Sequence, residues 1–304
     1  MTDARGARHG ILLIDKPAGL TSAAVVARVK RILQQAKVGH LGTLDPFATG
    51  LLPICLGEGT KVAQFLAGDS KRYVGEIVLG AATDTLDSTG TIVERHSVPR
   101  LDSSAIALAV AGLRGEIMQT PPMYSAIKRD GVPLYRLARA GQEVARTPRQ
   151  VRIARFDVAW LADDRLGFSV TCSKGTYIRS LACDLGKALG TVAHLGCLRR
   201  TAFGPFEIGE AVALDRLAEA EGAHAVALVT LSVALARYRA VVADAKTIAA
   251  IRHGQQHALG ALGAPRAEAE VARVESETGE LIAVVEATPG AAKWRLARVL
   301  SDAR

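Results

Sequence analysis

HLGTLDPFATG (40–50) holds a single acid, Asp45, between Leu44 and Pro46 in a Gly/Thr-rich stretch with no basic residue beside it. Asp-Pro is turn chemistry: the residue before proline is pushed out of the α region, and Asp bonds nearby backbone N–H groups. Paired-carboxylate catalysis would need a second acid, yet the nearest, Glu58, lies beyond a predicted strand. Asp45 would therefore act alone among carboxylates, supported by an Arg or Lys distant in sequence.

Other chemistries fit poorly. LGEGTK (56–61) lacks the GxxxxGK[ST] spacing of a phosphate loop, and Val62 stands where a dinucleotide fingerprint needs glycine. His253 and His257 are four apart, but Gly254 replaces the glutamate of a zinc-protease helix. No GxSxG elbow supports acyl transfer. The four cysteines form no CxxC pair and read as free thiols filling core space.

The elements that must position Asp45 follow from periodicity. GILLI (10–14) reads as a buried strand, DKPAGL as a turn, and Thr21 or Ser22 as the N-cap of a helix running to about Gln35. Val25, Val29, Ile32 and Ala36 share its apolar face. LLPICLG (51–57), KRYVGEIVLG (71–80) and LGFSVTCSKG (166–175) read as strands, with Tyr73, Gly75, Ile77 and Leu79 on one face of the second. A short helix is expected over TKVAQFL and another over 176–190. Without a βαβ rhythm, the class is α+β.

The chain has 304 residues, room for two domains, and 38 basic against 30 acidic side chains, an excess of +8 that points to an anionic partner. That excess is uneven. Residues 121–152 carry seven Lys/Arg and two Asp/Glu with Tyr124 and Tyr135 among them, which suits an RNA clamp in which cations meet phosphates and rings stack on bases. From Val241 onward eight basic and eight acidic residues balance, and hairpin-like strands with TGE (278–280) as a tip suggest a small, mostly β C-terminal domain. Ala-Gly composition at 258–270 suggests a flexible join. No run approaches a membrane span and MTDARGARHG lacks a secretion-signal core, so a cytoplasmic protein is expected.

Six segments together resemble the bacterial TruB family, synthases that convert uridine 55 of tRNA to pseudouridine. They are ILLIDKPAGLTS (11–22), VGHLGTLDPFATGLLPICLGEGTK (38–61), KRYVGEIVLG (71–80), PPMYSAIKRDGVPLYRLARAG (121–141), CSKGTYIRSLACDLGKALG (172–190) and AHLGCLRRTAFGPF (193–206). The resemblance implies a mixed, largely antiparallel central sheet with flanking helices in a catalytic domain over 9–236. It also implies a thumb-like insertion at about 121–152 and a PUA-like RNA-binding domain over 237–304.

It further implies that Asp45 is the catalytic aspartate, Arg179 its ionising partner and Tyr73 the active-site tyrosine that stacks on a flipped uracil. His40 takes up space near the flipped nucleotides, Tyr177 and Leu198 line the uracil pocket, and Lys16 belongs to the substrate-binding set as a support of the active-site loop. The implied substrate is the T-arm of tRNA, handled by a monomer with no protein partner, cofactor or metal. A tRNA-folding chaperone or RNA-binding module on the same fold, and a guide-RNA-dependent synthase subunit, are the alternative functions. One departure is Leu41, where relatives usually carry a small or hydroxylated residue.

Overall fold

The computed structural model describes residues 8–162, 164–219, 227–290 and 292–301. The chain opens with β1 (Gly10–Lys16), α1 (Ser22–Leu33), β2 (Val38–His40), β3 (Thr49–Leu56), α2 (Gly59–Leu66), β4 (Lys71–Leu79), β5 (Ala81–Thr83) and β6 (Ile92–Arg95). Next come α3 (Ser103–Ala111), β7 (Gly115–Gln119), β8 (Lys128–Arg129), β9 (Val132–Pro133), α4 (Leu134–Arg139), β10 (Arg149–Ala162), β11 (Arg165–Cys172) and α5 (Ile178–Ala188). Then follow β12 (Ala193–Phe203), β13 (Phe206–Glu207), β14 (Val212–Ala213), α6 (Leu214–Glu219) and α7 (Leu231–Ala234). β15 (Arg239–Val242), α8 (Ala245–Arg252), β16 (Val271–Glu275), β17 (Leu281–Ala287) and β18 (Trp294–Val299) complete it.

The central sheet runs β14-β1-β3-β12-β4-β11-β10-β7, with β2 added to β3 and β13 to β12. Among the described residues of this sheet only β14/β1 and β3/β12 are parallel, so it is mixed and largely antiparallel, as the family resemblance implies. Alternation sets its faces. Leu166, Phe168, Val170 and Cys172 of β11 are all buried, as are Tyr73, Ile77 and Leu79 of β4, and each fully buried apolar side chain contributes roughly 1.5–3 kcal/mol. Helices α1 and α5 close over that core with Val25, Val29, Leu181 and Leu185.

Three expectations shift. α1 stops at Leu33 because Gln34 turns left-handed (φ 48°), so Leu33 rather than Ala36 completes its buried face. Within the stretch expected to be a flexible join (258–270), residues 258–262 belong to a 3₁₀ helix, Gln256–Leu262, because Leu259 and Leu262 pack with Ile251, Val285 and Trp294. The cysteines also divide: Cys55 and Cys172 are buried, but Cys197 is exposed.

β15-β16-β17-β18 form the small C-terminal sheet, and Gly279 (φ 81°) makes the expected turn between β16 and β17. This sheet is not an independent bead. Val62, Phe65 and Leu66 of α2 share one core with Leu281, Val284 and Leu300. The basic stretch leaves the main sheet after β7 and returns in β10, so its residues from Arg149 onward are already a sheet strand. No helix among the described residues is long and apolar enough to cross a membrane.

Candidate active site

Asp45 sits on the loop between β2 and β3, and buried groups of the first β-α unit fix that loop. Thr21 caps α1 by accepting from Ala24 N (3.0 Å), which places Ser22 at the first helical position. Ser22 Oγ accepts from Leu44 N (2.9 Å) and donates to Leu44 O (3.1 Å), clamping the residue before Asp45. On the other side, Pro46 O accepts from Gly19 N (2.8 Å) and from Lys16 Nζ (3.2 Å). Lys16 is fully buried and also donates to Pro17 O and Leu20 O, and burial pushes its ammonium down to about 8. Leu41 is buried in one cluster with Phe203 and Phe206.

The partner of Asp45 comes from α5, more than a hundred residues away in sequence. Arg179, in the first turn of α5 and only 4% exposed at its side chain, places Nε 2.9 Å from Asp45 Oδ2. Its Nη1 donates to Thr85 O (2.9 Å) and Nη2 to Tyr124 O (2.8 Å), so the guanidinium is held at three corners. Asp87 Oδ2 lies 3.6 Å from the same Nε. That second carboxylate is itself pinned at Oδ1 by Thr85 Oγ1 (2.8 Å) and Thr89 N (3.0 Å). Burial raises the Asp45 carboxyl above its ordinary value, Arg179 opposes the rise, Asp87 adds to it and Lys16 opposes it; the net direction is up.

These groups open into a cavity of about 860 Å³ lined by Asp45, Tyr73, Arg179, His40, Tyr177 and Leu198. Tyr73 and Leu198 face it from β4 and β12, where Leu198 pairs with Gly75 and Arg200 with Tyr73. Burial raises the Tyr73 phenol, and Arg200 partly offsets it. His40 is half-buried, its Nδ1 has no hydrogen-bond partner among the described residues, and burial followed by the Arg200 charge lowers its imidazole. Tyr177 is locked by Gln119, which accepts from Tyr177 N (2.7 Å) and donates to Tyr177 O (3.1 Å). Of the sequence-derived residues only Lys16 is absent from the lining; it lies beneath the loop. Tyr124, Tyr135 and Arg139 of the basic stretch form the opposite lip.

Sequence reasoning passed over Asp87 and Arg200 and offered Ser22 only as a helix cap, not as the clamp on Leu44. ATDTLDSTG (82–90) carries the Asp/Thr spacing of side-chain-to-backbone turns, which signals local bonding but not a neighbour ninety residues away. For Arg200 the signal is simple: it is two residues from Leu198 on one strand and must share its face. Among the described residues no group of three His, Cys, Asp or Glu is gathered as a metal site.

Such a cavity, an ionisable carboxylate clamped beside a guanidinium with aromatic and aliphatic walls, can hold a planar ring and act on a bond next to it. Residues 30–178 match the TruB family pseudouridylate synthase (N terminal domain), and residues 179–239 the tRNA pseudouridylate synthase B C-terminal domain. The chain belongs to the TruB family of pseudouridylate synthases. It is 46% identical over 247 residues to tRNA pseudouridine synthase B of Geobacter sulfurreducens, covering 81% of each chain. It is 44% identical over 290 residues to that of Burkholderia mallei, covering 94% of this chain and 96% of the other.

Among solved structures, the fold is similar to that of an H/ACA RNP bound to a substrate RNA containing 2′-deoxyuridine, with a TM-score of 0.73 at 24% identity over 97% of this chain and 86% of that one. A Cbf5-Nop10-Gar1 complex is similar at TM-score 0.72 and 26% identity, over 99% of this chain and 88% of the other.

Proposed function

We propose that this chain isomerises uridine 55 in the T-loop of tRNA to pseudouridine, acting as a cytoplasmic monomer without a protein partner. One observation carries the reading: Asp45 is ion-paired to the buried Arg179 inside a cavity also walled by Tyr73 and Leu198. The relatives named tRNA pseudouridine synthase B along most of the chain support the substrate class.

The reaction breaks the N1–C1′ bond, rotates the uracil and joins C5 to C1′; a proton leaves C5 and N1 gains one, so atoms and electrons balance. It involves no net oxidation and requires neither cofactor nor metal. Asp45 serves by adding to the sugar or the base, or by taking a proton from the sugar, and each route needs it ionised. Arg179 supplies that condition in a site that closes around a base, where desolvation favours the neutral acid. The uridine leaves its stack at a cost of about a few kcal/mol, offset by stacking on Tyr73 and packing on Tyr177 and Leu198, while His40 occupies space near the displaced nucleotides. The basic stretch at 121–152 and the PUA-like domain from about residue 237 hold the rest of the tRNA.

The test is a bare T-arm stem-loop transcript incubated with the purified chain alone, with product mapped uridine by uridine. Pseudouridine at the position of uridine 55 is expected. Absence of turnover until a guide RNA or protein is added would replace this reading with that of a ribonucleoprotein subunit, and tight binding without product would leave an RNA-binding module.

A further inference from the structure

Arg200 is fully buried, and no carboxylate forms an ion pair with it among the described residues. A buried guanidinium without a counter-ion is destabilising unless hydrogen bonds compensate it. Here Nε donates to Leu51 O (2.7 Å), Nη2 donates to Gly42 O (3.0 Å), and the Phe203 ring lies 5.3 Å from Cζ. Arg200 and Tyr73 are direct partners across β12 and β4, both side chains line the same cavity, and the Arg200 charge acts on the phenol.

The backbone is shaped for this placement. The β12/β4 register slips between Arg200 and Ala202, a bulge that re-aims side chains beside a site. Gly42 (φ 66°) leaves room for the guanidinium and for Phe203: a Cβ there would stand 3.4 Å from Nη1 and 2.8 Å from the phenyl ring. The neighbouring Arg199 points the other way, into a bidentate pair with Asp15 (2.7 and 3.1 Å), so the two arginines are not interchangeable.

We propose that Arg200 is the positioning residue for Tyr73, fixing its hydroxyl in the cavity and tying it through Gly42 to the loop that carries Asp45. Other charged or titratable groups share this space. Lys16 of β1, His40 of β2 and Lys71 of β4 sit near Arg200, and Cys172 of β11 and Asp45 act on Tyr73. Lys71 cannot substitute for Arg200: its ammonium donates to Ala67 O and Asp69 O and lies 4.3 Å from the centre of the same Phe203 ring. Of these cations it is Arg200 that is paired with Tyr73 across the strands and whose charge acts on the phenol.

The proposal rests on reading Tyr73 as an active-site residue, but its decisive measurement needs no turnover, so the two can fail separately. The full chain is labelled with 3-fluorotyrosine, the Tyr73 ¹⁹F resonance is assigned by its loss in Tyr73→Phe, and its titration is compared with that of Arg200→Gln and Arg200→Lys. Removing the cation is expected to move the Tyr73 midpoint to higher pH in Arg200→Gln, with Arg200→Lys between it and the native chain. Single-turnover isomerisation is expected to fall about tenfold or more in Arg200→Gln while tRNA affinity stays within about threefold, with partial recovery in Arg200→Lys. An unchanged Tyr73 midpoint in either folded variant, or an unchanged rate in Arg200→Gln, overturns the proposal. If Arg200→Gln does not fold, the Arg200→Lys midpoint alone decides, and equality with the native chain counts against it.

Discussion

The Asp45 loop and the basic stretch that borders the same cavity are held by different means. Around Asp45 nearly every polar atom has a buried partner: Ser22 on Leu44, Lys16 and Gly19 on Pro46, and Arg179 on the carboxylate itself. The basic stretch rests on a few points, with Pro121, Pro122, Ser125 and Leu134 buried while Lys128, Arg129, Arg136 and Arg139 face outward. Tyr124 O, accepting from Arg179, joins the two regions. The first arrangement suits chemistry, which tolerates little misplacement; the second suits a polyanion, whose phosphates are met by side chains that need not be fixed beforehand.

The comparison breaks most visibly at Arg179. Arg179→Met is expected to lower the single-turnover rate about 10²- to 10³-fold, the loss typical of an electrostatic partner in a closed site. Its pH profile carries a sign. In the proposed function Asp45 acts as the anion, and its carboxyl is already raised, so the rate is expected to be present above that raised value and to fall as pH drops through it. Removing Arg179 takes away the main opposing influence and moves this acid limb to higher pH. Asp87→Asn removes a like charge and moves the limb to lower pH, and a pH series of single-turnover rates on both variants reads the opposite shifts.

Smaller effects separate scaffold from grip. Ser22→Ala leaves Leu44 N and O without their buried partner and is expected to cost about 1–3 kcal/mol in denaturant unfolding. Arg139→Gln, on the lip, is expected to weaken tRNA binding by less than about tenfold and to reduce the salt dependence by about one phosphate contact, with the bound-state rate unchanged. A large loss of bound-state rate in Arg139→Gln would erase the distinction between the two regions.

Much of this was legible in the sequence because it is local. The strands of the core follow from alternation, α1 begins at its Thr cap, and the turn character of Leu44-Asp45-Pro46 is real. Resemblance to a family, rather than periodicity, picked out Arg179 as the partner of Asp45, since the contact spans more than a hundred residues and has no local pattern. Asp87 stayed hidden because its local turn bonds give no sign of Arg179, whereas the spacing of Arg200 from Leu198 does put it on the cavity face. The extra helix α8 and strand β15 escaped because Ala-rich, weakly periodic stretches take their structure from the core they join.

The central claim, that one clamped carboxylate performs the isomerisation, is met most directly by Asp45→Asn assayed beside the native chain on the same T-arm transcript. The substitution preserves shape and removes the charge. The native chain is expected to form pseudouridine at one uridine, and the variant to bind the RNA within about tenfold while forming none. Pseudouridine formed by Asp45→Asn at the native rate would contradict the account.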